Sequence, residues 1–256
     1  MIFIVAIIAG AGLLVYSNGN VGANLAKYDN TPVSQQQVLQ LESIALNETL
    51  ANRIGPGIVT PYPSKINGTN VTMVGGKPAV IYIGADFCPY CAITRWGLIL
   101  ALMRFGNFTN LHYMTSSATD SFANTATFTF YNSTYSSQLI SFLGAETLTN
   151  VAPYQPLQQP NQLETSAGQF YDPVGSIPFI DFGNKSVQIG APASLSPGYI
   201  RGLDWGQVIS ALQDSNSTVA QSLIGDANVF TAQICAIDGD NPQSVCGQPY
   251  VKRILG

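Results

Sequence analysis

One stretch of the chain decides the fold class: Ala79-Val80-Ile81-Tyr82-Ile83-Gly84-Ala85-Asp86-Phe87-Cys88-Pro89-Tyr90-Cys91. Its first part, Val80 to Ile83, is continuously apolar and favours strand, as expected of a central strand covered on both faces. A helical pattern follows from Ala92 to about Phe105, and Gly106 ends it. The order strand, paired cysteines, helix therefore predicts an α/β fold with the cysteines at the start of a helix.

Two cysteines separated by two residues at the start of a helix suit thiol–disulfide exchange. Cys88 would lie where the helix begins, so unpaired N–H groups and the helix dipole favour its thiolate. Cys91 would lie on the first turn, close enough to attack a mixed disulfide at Cys88. Pro89 fits that turn because it has no N–H to lose, and Tyr90 adds no charge. We therefore expect Cys88 to be the nucleophile and Cys91 the resolving thiol.

Apolar periodicity and turn residues outline the other elements. Gly75-Gly76-Lys77-Pro78 predicts a turn between two strands, and Ile177-Pro178 opens a strand that ends in a hairpin turn at Gly183. Leu111 to Met114 is expected to be a further parallel strand, and Ser136 to Leu148 is weakly helical in pattern. Helices are also expected after the capping residue Ser34, at Trp205 to Leu212 and at Val219 to Ile234.

The strand, Cys88-Pro89-Tyr90-Cys91, the helix and the later Ile177-Pro178 together resemble the thioredoxin superfamily. The resemblance implies an α/β thioredoxin-like fold, in which a central mixed sheet is flanked by helices. It also implies a cis proline at Pro178 facing the cysteines, with the backbone at Ile177 pairing with substrate as an added strand. Pro89 and Tyr90 are the other expected substrate contacts.

A closer resemblance rests on Tyr82 to Ala92, Arg95-Trp96 and Arg104 to Phe108. These segments are similar to an archaeal family of membrane-anchored thioredoxin-like proteins of undetermined function, and the similarity extends over roughly Ser34 to Cys246. About 86 residues separate Cys91 from Pro178, more than in a minimal thioredoxin. An insertion at about 115–170, between the helix and the proline strand, is therefore expected.

The N-terminal segment predicts a membrane attachment. Residues 1–16 carry no charge, and a helix of this length spans about 24 Å, slightly less than the roughly 30 Å hydrocarbon core. We expect a retained transmembrane helix at 1–16, a polar linker at 17–33 and a thioredoxin-like domain at 34–256 on the extracytoplasmic side, at the cell surface. A cleaved signal peptide is the alternative reading.

The composition fits such a location. Charged residues make up 9% of the chain, against about 25% in ordinary soluble domains, and an uncharged surface changes little when carboxylates protonate in an acidic medium. The net charge of −4 and scattered basic residues make nucleic acid an improbable partner. Seven Asn-x-Ser/Thr sequons predict N-glycosylation, at Asn47, Asn67, Asn70, Asn107, Asn132, Asn184 and Asn216.

The other candidate groups have simpler interpretations. Cys235 and Cys246 are expected to form a structural disulfide, with a second redox pair as the alternative; their spacing disfavours a zinc site, so no metal is expected. No phosphate-binding glycine loop occurs, so no cofactor is expected. Asp86 either relays a proton or caps the strand end, and Arg95 either assists an anion or is solvated. His112, the only histidine, is expected to be a partly buried structural residue.

The predicted function is that of a membrane-anchored extracytoplasmic thiol–disulfide oxidoreductase. Its partners would be protein thiols and disulfides, with the membrane engaged through the N-terminal helix. Two other interpretations remain open. The Cys88–Cys91 pair could be a purely structural disulfide, and the chain could be a glycosylated, non-catalytic subunit of a cell-envelope or membrane assembly.

Overall fold

A computed structural model describes residues 25–66 and 70–256. The predicted membrane helix at 1–16, the first part of the predicted linker and the sequon at Asn67 lie outside these residues. Within the described part of the chain, no helix combines the length and apolar character needed to span a membrane.

The central sheet is mixed and is built around β3 (Lys77–Gly84). β8 (Ser141–Glu146) pairs with β3 in parallel, and β9 (Phe179–Phe182) pairs with it in antiparallel orientation on the opposite edge. The remaining strands of this sheet are β10 (Ser186–Ile189) beside β9, β1 (Ser64–Lys65) beside β10, and β2 (Met73–Val74), which forms a hairpin with the start of β3. The two predicted hairpins, at Gly75–Pro78 and after Phe182, are confirmed.

Helices flank the sheet on both faces. They are α1 (Gln35–Ala45), α2 (Glu48–Ile54), α3 (Pro89–Leu102), α4 (Gln162–Tyr171), α5 (Trp205–Leu212), α6 (Thr218–Asp238), α7 (Gln243–Cys246) and α8 (Pro249–Leu255). Phe182 packs on Phe230 of α6, with ring centroids 5.5 Å apart. On the opposite face, the side chain of Ile83 lies against Gly168 of α4. The α/β class with a mixed sheet between helices is thus as predicted.

The close packing of α3 on α6 depends on Gly97. A Cβ atom at this position would lie 2.4 Å from Oδ2 of Asp226. The Asp226 carboxyl is fully buried and has no hydrogen-bond partner among the described residues. Burial raises the pKa of Asp226 well above its usual range, so the neutral carboxyl is the form that packs against α3.

Gly97→Ala is expected to lower the free energy of unfolding by about 1–3 kcal/mol, because overpacking forces two helices apart. Urea denaturation of the variant and the parent chain measures the difference. Gly206→Ala is the matched control: Gly206 is an exposed glycine in α5 whose added Cβ would meet no atom closer than 3.3 Å. Alanine favours helix more than glycine does, so the control is expected to be neutral or stabilising. A Gly97→Ala variant as stable as the control would contradict the packing argument.

The region between α3 and β9 differs from the prediction in two places. Leu111 to Met114 does not extend the central sheet: β5 (His112–Thr115) pairs antiparallel with β6 (Ala126–Thr129) in a separate two-stranded sheet. The segment 136–148 is not helical, because it contains β8, whose pairing with β3 outweighs a weak helical pattern. A second two-stranded sheet joins β4 (Asn107–Thr109) and β7 (Thr134–Ser136). The predicted insertion at about 115–170 therefore includes a strand of the central sheet.

The second half of the predicted linker belongs to the folded domain. The backbone N–H of Asn30 donates to the carbonyl of Tyr113 at 2.9 Å, and the N–H of Tyr113 donates to the carbonyl of Thr31 at 3.0 Å. These bonds, with one from Val33 to Leu111 at 2.8 Å, tie residues 30–33 to β5. The prediction of a polar linker over 17–33 is therefore wrong for residues 30–33.

Candidate active site

The cysteine pair lies at the junction between β3 and α3. Cys88 is the residue before the first helical turn, and its Sγ accepts a hydrogen bond from the N–H of Cys91 at 3.2 Å. Pro89 is the first helical residue, so the helix begins three residues earlier than the periodicity predicted. Both cysteines are free thiols, and Cys88 is 6% exposed whereas Cys91 is fully buried. Tyr90, between them, is 43% exposed.

The pKa values of the two thiols are shifted in opposite directions. A side-chain hydrogen bond with Cys91, the N–H of Cys91 and the charge of Arg95 lower the pKa of Cys88, although burial acts in the opposite direction. Burial raises the pKa of Cys91 well above its usual range, and the neighbouring Cys88 adds to this effect. Cys88 is thus the thiol that ionises first, and Cys91 is the one that keeps its proton.

Arg95 is buried, so the alternative in which it is a solvated residue is wrong. It is fully buried on α3 and forms a two-point salt bridge with Glu146, the last residue of β8, at 2.7 Å for both hydrogen bonds. Its Nη2 also donates to the carbonyl of Ala85 at 2.7 Å. Burial alone would lower the pKa of Arg95, but Glu146, Tyr82 and Asp86 raise it well above its usual range. A permanent positive charge is therefore held one turn beyond Cys91.

Asp86 is a second buried carboxyl in this cluster. Its Oδ1 lies 3.4 Å from Nη2 of Arg95 and has no hydrogen-bond partner among the described residues. Burial, followed by the charge of Glu146, raises the pKa of Asp86 to about 7, while Arg95 acts in the opposite direction. Asp86 can therefore gain or lose a proton near neutral pH, two residues before Cys88.

Pro178 lies at the same end of the sheet as the cysteines. The Ile177–Pro178 peptide bond is cis, as the resemblance implied. β9 pairs Phe179 with Ile83, and continuing this register places Pro178 opposite Gly84 and Ile177 opposite Ala85. Pro178 is buried and Ile177 is half-buried. Within the described chain, the N–H and C=O of Ile177 form no backbone hydrogen bond, so both remain available next to the segment that leads to Cys88.

Four aromatic side chains form what we call the aromatic rim: Phe87, Tyr90, Phe122 and Tyr154. Phe87 stacks on Tyr154 with ring centroids 4.5 Å apart, and Tyr90 meets Phe122 edge to face at 5.9 Å. Sequence reasoning found only Tyr90, because Phe122 and Tyr154 come from the loops after β5 and β8. The Tyr154 hydroxyl donates to Ser117 Oγ at 2.9 Å, which fixes one loop against the other.

Comparison with known proteins identifies one related segment. Residues 62–169 match the model of a domain of unknown function, DUF929. This segment is 108 of the 256 residues, and it contains both cysteines of the site and both partners of the Arg95–Glu146 pair but not Pro178. No curated protein and no solved structure matches the chain.

The second pair of cysteines lies far from the first. Cys235 and Cys246 form a disulfide with Cα atoms 5.5 Å apart. α3 and α6 run parallel, since Gly97 faces Asp226 and Arg104 donates to Thr231 at 2.7 Å. Given a rise of 1.5 Å per residue, Cys235 lies roughly 20 Å along the helices from Cys91. Exchange needs direct attack by a thiolate, so this distance opposes electron transfer between the pairs.

The other candidate residues lie away from the cysteines or remain untested. His112 is half-buried in β5, as predicted. Among the described residues no cluster of His, Cys, Asp or Glu could hold a metal ion. Glycosylation stays a prediction: Asn184 is half-buried and accepts a hydrogen bond from the Tyr171 hydroxyl, whereas the exposed sequon residues are Asn47, Asn70, Asn107, Asn132 and Asn216.

Three carboxyls with raised pKa values predict an unusual pH dependence for the stability of the fold. Burial is the main cause that raises the pKa of Asp29, Asp181 and Asp238 from 3.8 to about 6. A carboxyl with a raised pKa binds its proton more tightly in the folded chain than in the unfolded one. Its cost to stability is therefore absent below about pH 4 and develops as the pH rises through the folded-state pKa.

We expect the melting temperature to fall as the pH rises from about 4 to about 7, the reverse of ordinary acid denaturation. Thermal unfolding monitored by circular dichroism across this range tests the expectation. Asp181→Asn and Asp238→Asn should each flatten the curve, because an amide does not titrate. A melting temperature that increases steadily towards pH 7 would show that these carboxyls do not govern the stability of the fold.

Proposed function

We propose that the chain is a thiol–disulfide oxidoreductase with a thioredoxin-like fold, acting on protein disulfides through Cys88 and Cys91. The observation that carries this proposal is the thiol pair at the start of α3, where Cys88 Sγ accepts a hydrogen bond from the N–H of Cys91. There the pKa of Cys88 is lowered and that of Cys91 is raised. Its attachment to a membrane and its extracytoplasmic location remain predictions from the sequence.

The arrangement of the central sheet supports the thioredoxin-like fold. The strand before the cysteines, β3, has a parallel neighbour in β8 and an antiparallel neighbour in β9. β9 and β10 form the hairpin that follows Pro178. This is the strand, cysteine pair, helix and proline hairpin that the resemblance implies, with the small sheets β5–β6 and β4–β7 added between them.

The reaction proceeds in two exchanges. The Cys88 thiolate attacks one sulfur of a substrate disulfide, so a Cys88–substrate disulfide forms and the other substrate sulfur leaves as a thiolate. Cys91 then loses its proton to a base, for which we propose Asp86, the carboxyl of the buried Arg95 cluster whose pKa is about 7. The Cys91 thiolate attacks Sγ of Cys88, which breaks the mixed disulfide and releases the second substrate thiolate. The substrate gains two electrons and the Cys88–Cys91 disulfide is formed. The same steps in reverse oxidise a substrate dithiol.

Two surfaces support a polypeptide as the substrate. The free N–H and C=O of Ile177 can pair with an extended chain, as in strand addition. Phe87 and Tyr90 of the aromatic rim flank Cys88 in sequence, and all four rings of the rim are at least partly exposed. Aromatic rings contribute binding energy mainly to apolar and aromatic side chains, so the preferred cysteine is one flanked by such residues.

Tyr154→Ala is expected to lower the rate of exchange with a peptide disulfide flanked by phenylalanine by about three- to tenfold, through loss of aromatic contact. A peptide flanked by serine should be affected less, and the ratio of the two rates is the measurement. Phe170→Ala is the control, since Phe170 is 77% exposed on α4, outside the rim. Equal losses for both peptides would show that the aromatic rim does not take part in substrate recognition.

The proposal is tested by the reduction potential of Cys88/Cys91 in the full-length chain, held in detergent. Redox-buffer titration with mass-tagged alkylation gives the potential, and Cys88→Ser and Cys91→Ser assign the two thiols. A potential between about −270 and −120 mV, with Cys88 alkylated first, is expected of an exchange catalyst. A potential below about −300 mV, or thiols that never react, would overturn the proposal in favour of a structural disulfide or a non-catalytic scaffold.

A further inference from the structure

A third carboxyl, that of Asp29, lies beside the buried cluster. Asp29 follows a short 3-10 helix, Ala26–Tyr28, at the start of the described chain. Its Oδ2 accepts hydrogen bonds from Thr115 Oγ1 at 2.9 Å and from Asn150 Nδ2 at 2.6 Å. Its Oδ1 is buried and has no hydrogen-bond partner among the described residues. The carboxyl is thus held firmly by one oxygen while the other is shielded from water.

Asp29 and Asp86 are held by the same two segments of chain. The N–H of Asp86 donates to the carbonyl of Leu148 at 3.0 Å, and Asn150, two residues later, binds Asp29. On the other side, the N–H of Ser117 donates to the carbonyl of Phe87 at 2.9 Å, and Thr115, two residues earlier, binds Asp29. Two residues of extended chain span about 7 Å, so the two carboxyls are neighbours.

The charges around this pair leave Asp86 sensitive to Asp29. The guanidinium of Arg95 is committed to Glu146 through two hydrogen bonds and lies 3.4 Å from Asp86. Lys27, two residues before Asp29 on the same segment, has its amine over the Tyr28 ring at 5.0 Å. Among the described residues, the other titratable groups on the segments that hold this pair include His112 and Tyr113 of β5 and Tyr154 of the loop after β8, and on the side of the cysteines Tyr82, Cys88 and Cys91.

The two acids ionise in sequence as the pH rises. Burial raises the pKa of Asp29 to about 6, although its bonds to Thr115 and Asn150 act in the opposite direction. The charge of Asp29 is one of the causes that raise the pKa of Asp86, which is about 7. Asp29 therefore becomes negative first, and its charge then opposes the ionisation of Asp86.

We infer that Asp29 is a positioning residue whose charge sets the pH at which Asp86 accepts the proton of Cys91. The part played by Asp86 in this inference rests on the proposed function, whereas the coupling between the two carboxyls does not. In this step Cys91 loses its thiol proton to Asp86 and its thiolate attacks Sγ of Cys88. The Cys88–Cys91 bond forms as the Cys88–substrate bond breaks and the substrate sulfur leaves as a thiolate. Asp29 stays unprotonated throughout.

The coupling is measured by nuclear magnetic resonance on the full-length chain in detergent, labelled with carbon-13 at the aspartate carboxyls. The Asp86 signal is assigned by its loss in Asp86→Asn, and its chemical shift is followed against pH. Asp29→Asn is expected to lower the Asp86 midpoint by about one pH unit, because it removes a neighbouring negative charge that favours the protonated form of Asp86. The pH profile of mixed-disulfide resolution should move in the same direction, and Asp29→Glu should restore both.

Two further variants complete the test. Asp238→Asn removes another carboxyl whose pKa is about 6, but at the end of α6 that carries the second disulfide, and it should leave the Asp86 midpoint unchanged. Thr115→Val removes a hydrogen-bond donor to Asp29, so the Asp29 carboxyl stays neutral to higher pH. This variant should therefore also lower the Asp86 midpoint. It replaces Asp29→Asn in the test if Asp29→Asn does not fold.

The outcomes separate the two proposals. An Asp86 midpoint that is the same in Asp29→Asn, Thr115→Val and the parent chain overturns the inference. A midpoint that moves as expected in a protein without any exchange activity supports the coupling and rejects the proposed function. A resolution profile that stays fixed while the midpoint moves rejects the role of Asp86 as proton acceptor and with it the inference.

Discussion

Cys88→Ser is expected to abolish exchange with protein disulfides, a loss on the order of 10³-fold or more, as when an enzyme loses its nucleophile. The physical reason is that a serine hydroxyl does not ionise near neutral pH, whereas a thiolate is the attacking species. Cys91→Ser should behave differently: it still forms the mixed disulfide at Cys88 but cannot release the substrate. Mass spectrometry of the full-length chain after incubation with a peptide disulfide distinguishes the two.

The chain contains an internal control for the Cys88→Ser and Cys91→Ser variants. The Cys235–Cys246 disulfide is distant from the site and should remain intact in both variants, so mass-tagging detects only the exchanging thiols. Trapped substrate on Cys91→Ser and none on Cys88→Ser would establish the order of attack. Trapping on Cys88→Ser instead would reverse the two roles, and trapping on neither would indicate a structural pair.

Local patterns in the sequence were sufficient for the central part of the fold. Three features depend only on neighbours in sequence and are found as predicted. They are the apolar run of β3, the position of Cys88 at the N-terminus of α3, and the proline that precedes β9. The Cys235–Cys246 disulfide was also expected from the even number of cysteines and is present. These features are encoded within a few residues of where they act.

The charged cluster under the cysteines was not predictable in the same way. Its members come from separate elements: Asp86 precedes α3, Arg95 lies on it, Glu146 ends β8 and Asp29 precedes α1. The weak helical pattern of 136–148 gives no indication that Glu146 ends a strand, and without that partner the sequence allows Arg95 to be a solvated residue. The signal that could have found it is an acidic residue closing the apolar run Phe142-Leu143-Gly144-Ala145, which is unusual in a strand unless the carboxylate is paired.

The Arg95–Glu146 pair gives the largest expected effect on stability. Arg95→Met keeps a long side chain but leaves the Glu146 carboxylate buried without its partner, so we expect the free energy of unfolding at pH 7 to fall by about 3–5 kcal/mol. Denaturant unfolding measures the change. Arg53→Met is the control, because Arg53 is exposed and surface substitutions usually change stability by less than about 0.5 kcal/mol.

The double variant Arg95→Met/Glu146→Leu identifies the cause of the loss. If an unpaired buried charge is responsible, removing that charge as well should recover much of the stability, because apolar replacements of buried ion pairs are often neutral. The Arg95→Met loss should also shrink in acid, where Glu146 is protonated. Since the charge of Arg95 helps to lower the pKa of Cys88, both variants should alkylate more slowly at Cys88 even when stability is restored. A double variant that recovers stability and keeps the parent alkylation rate would limit the buried pair to a structural role.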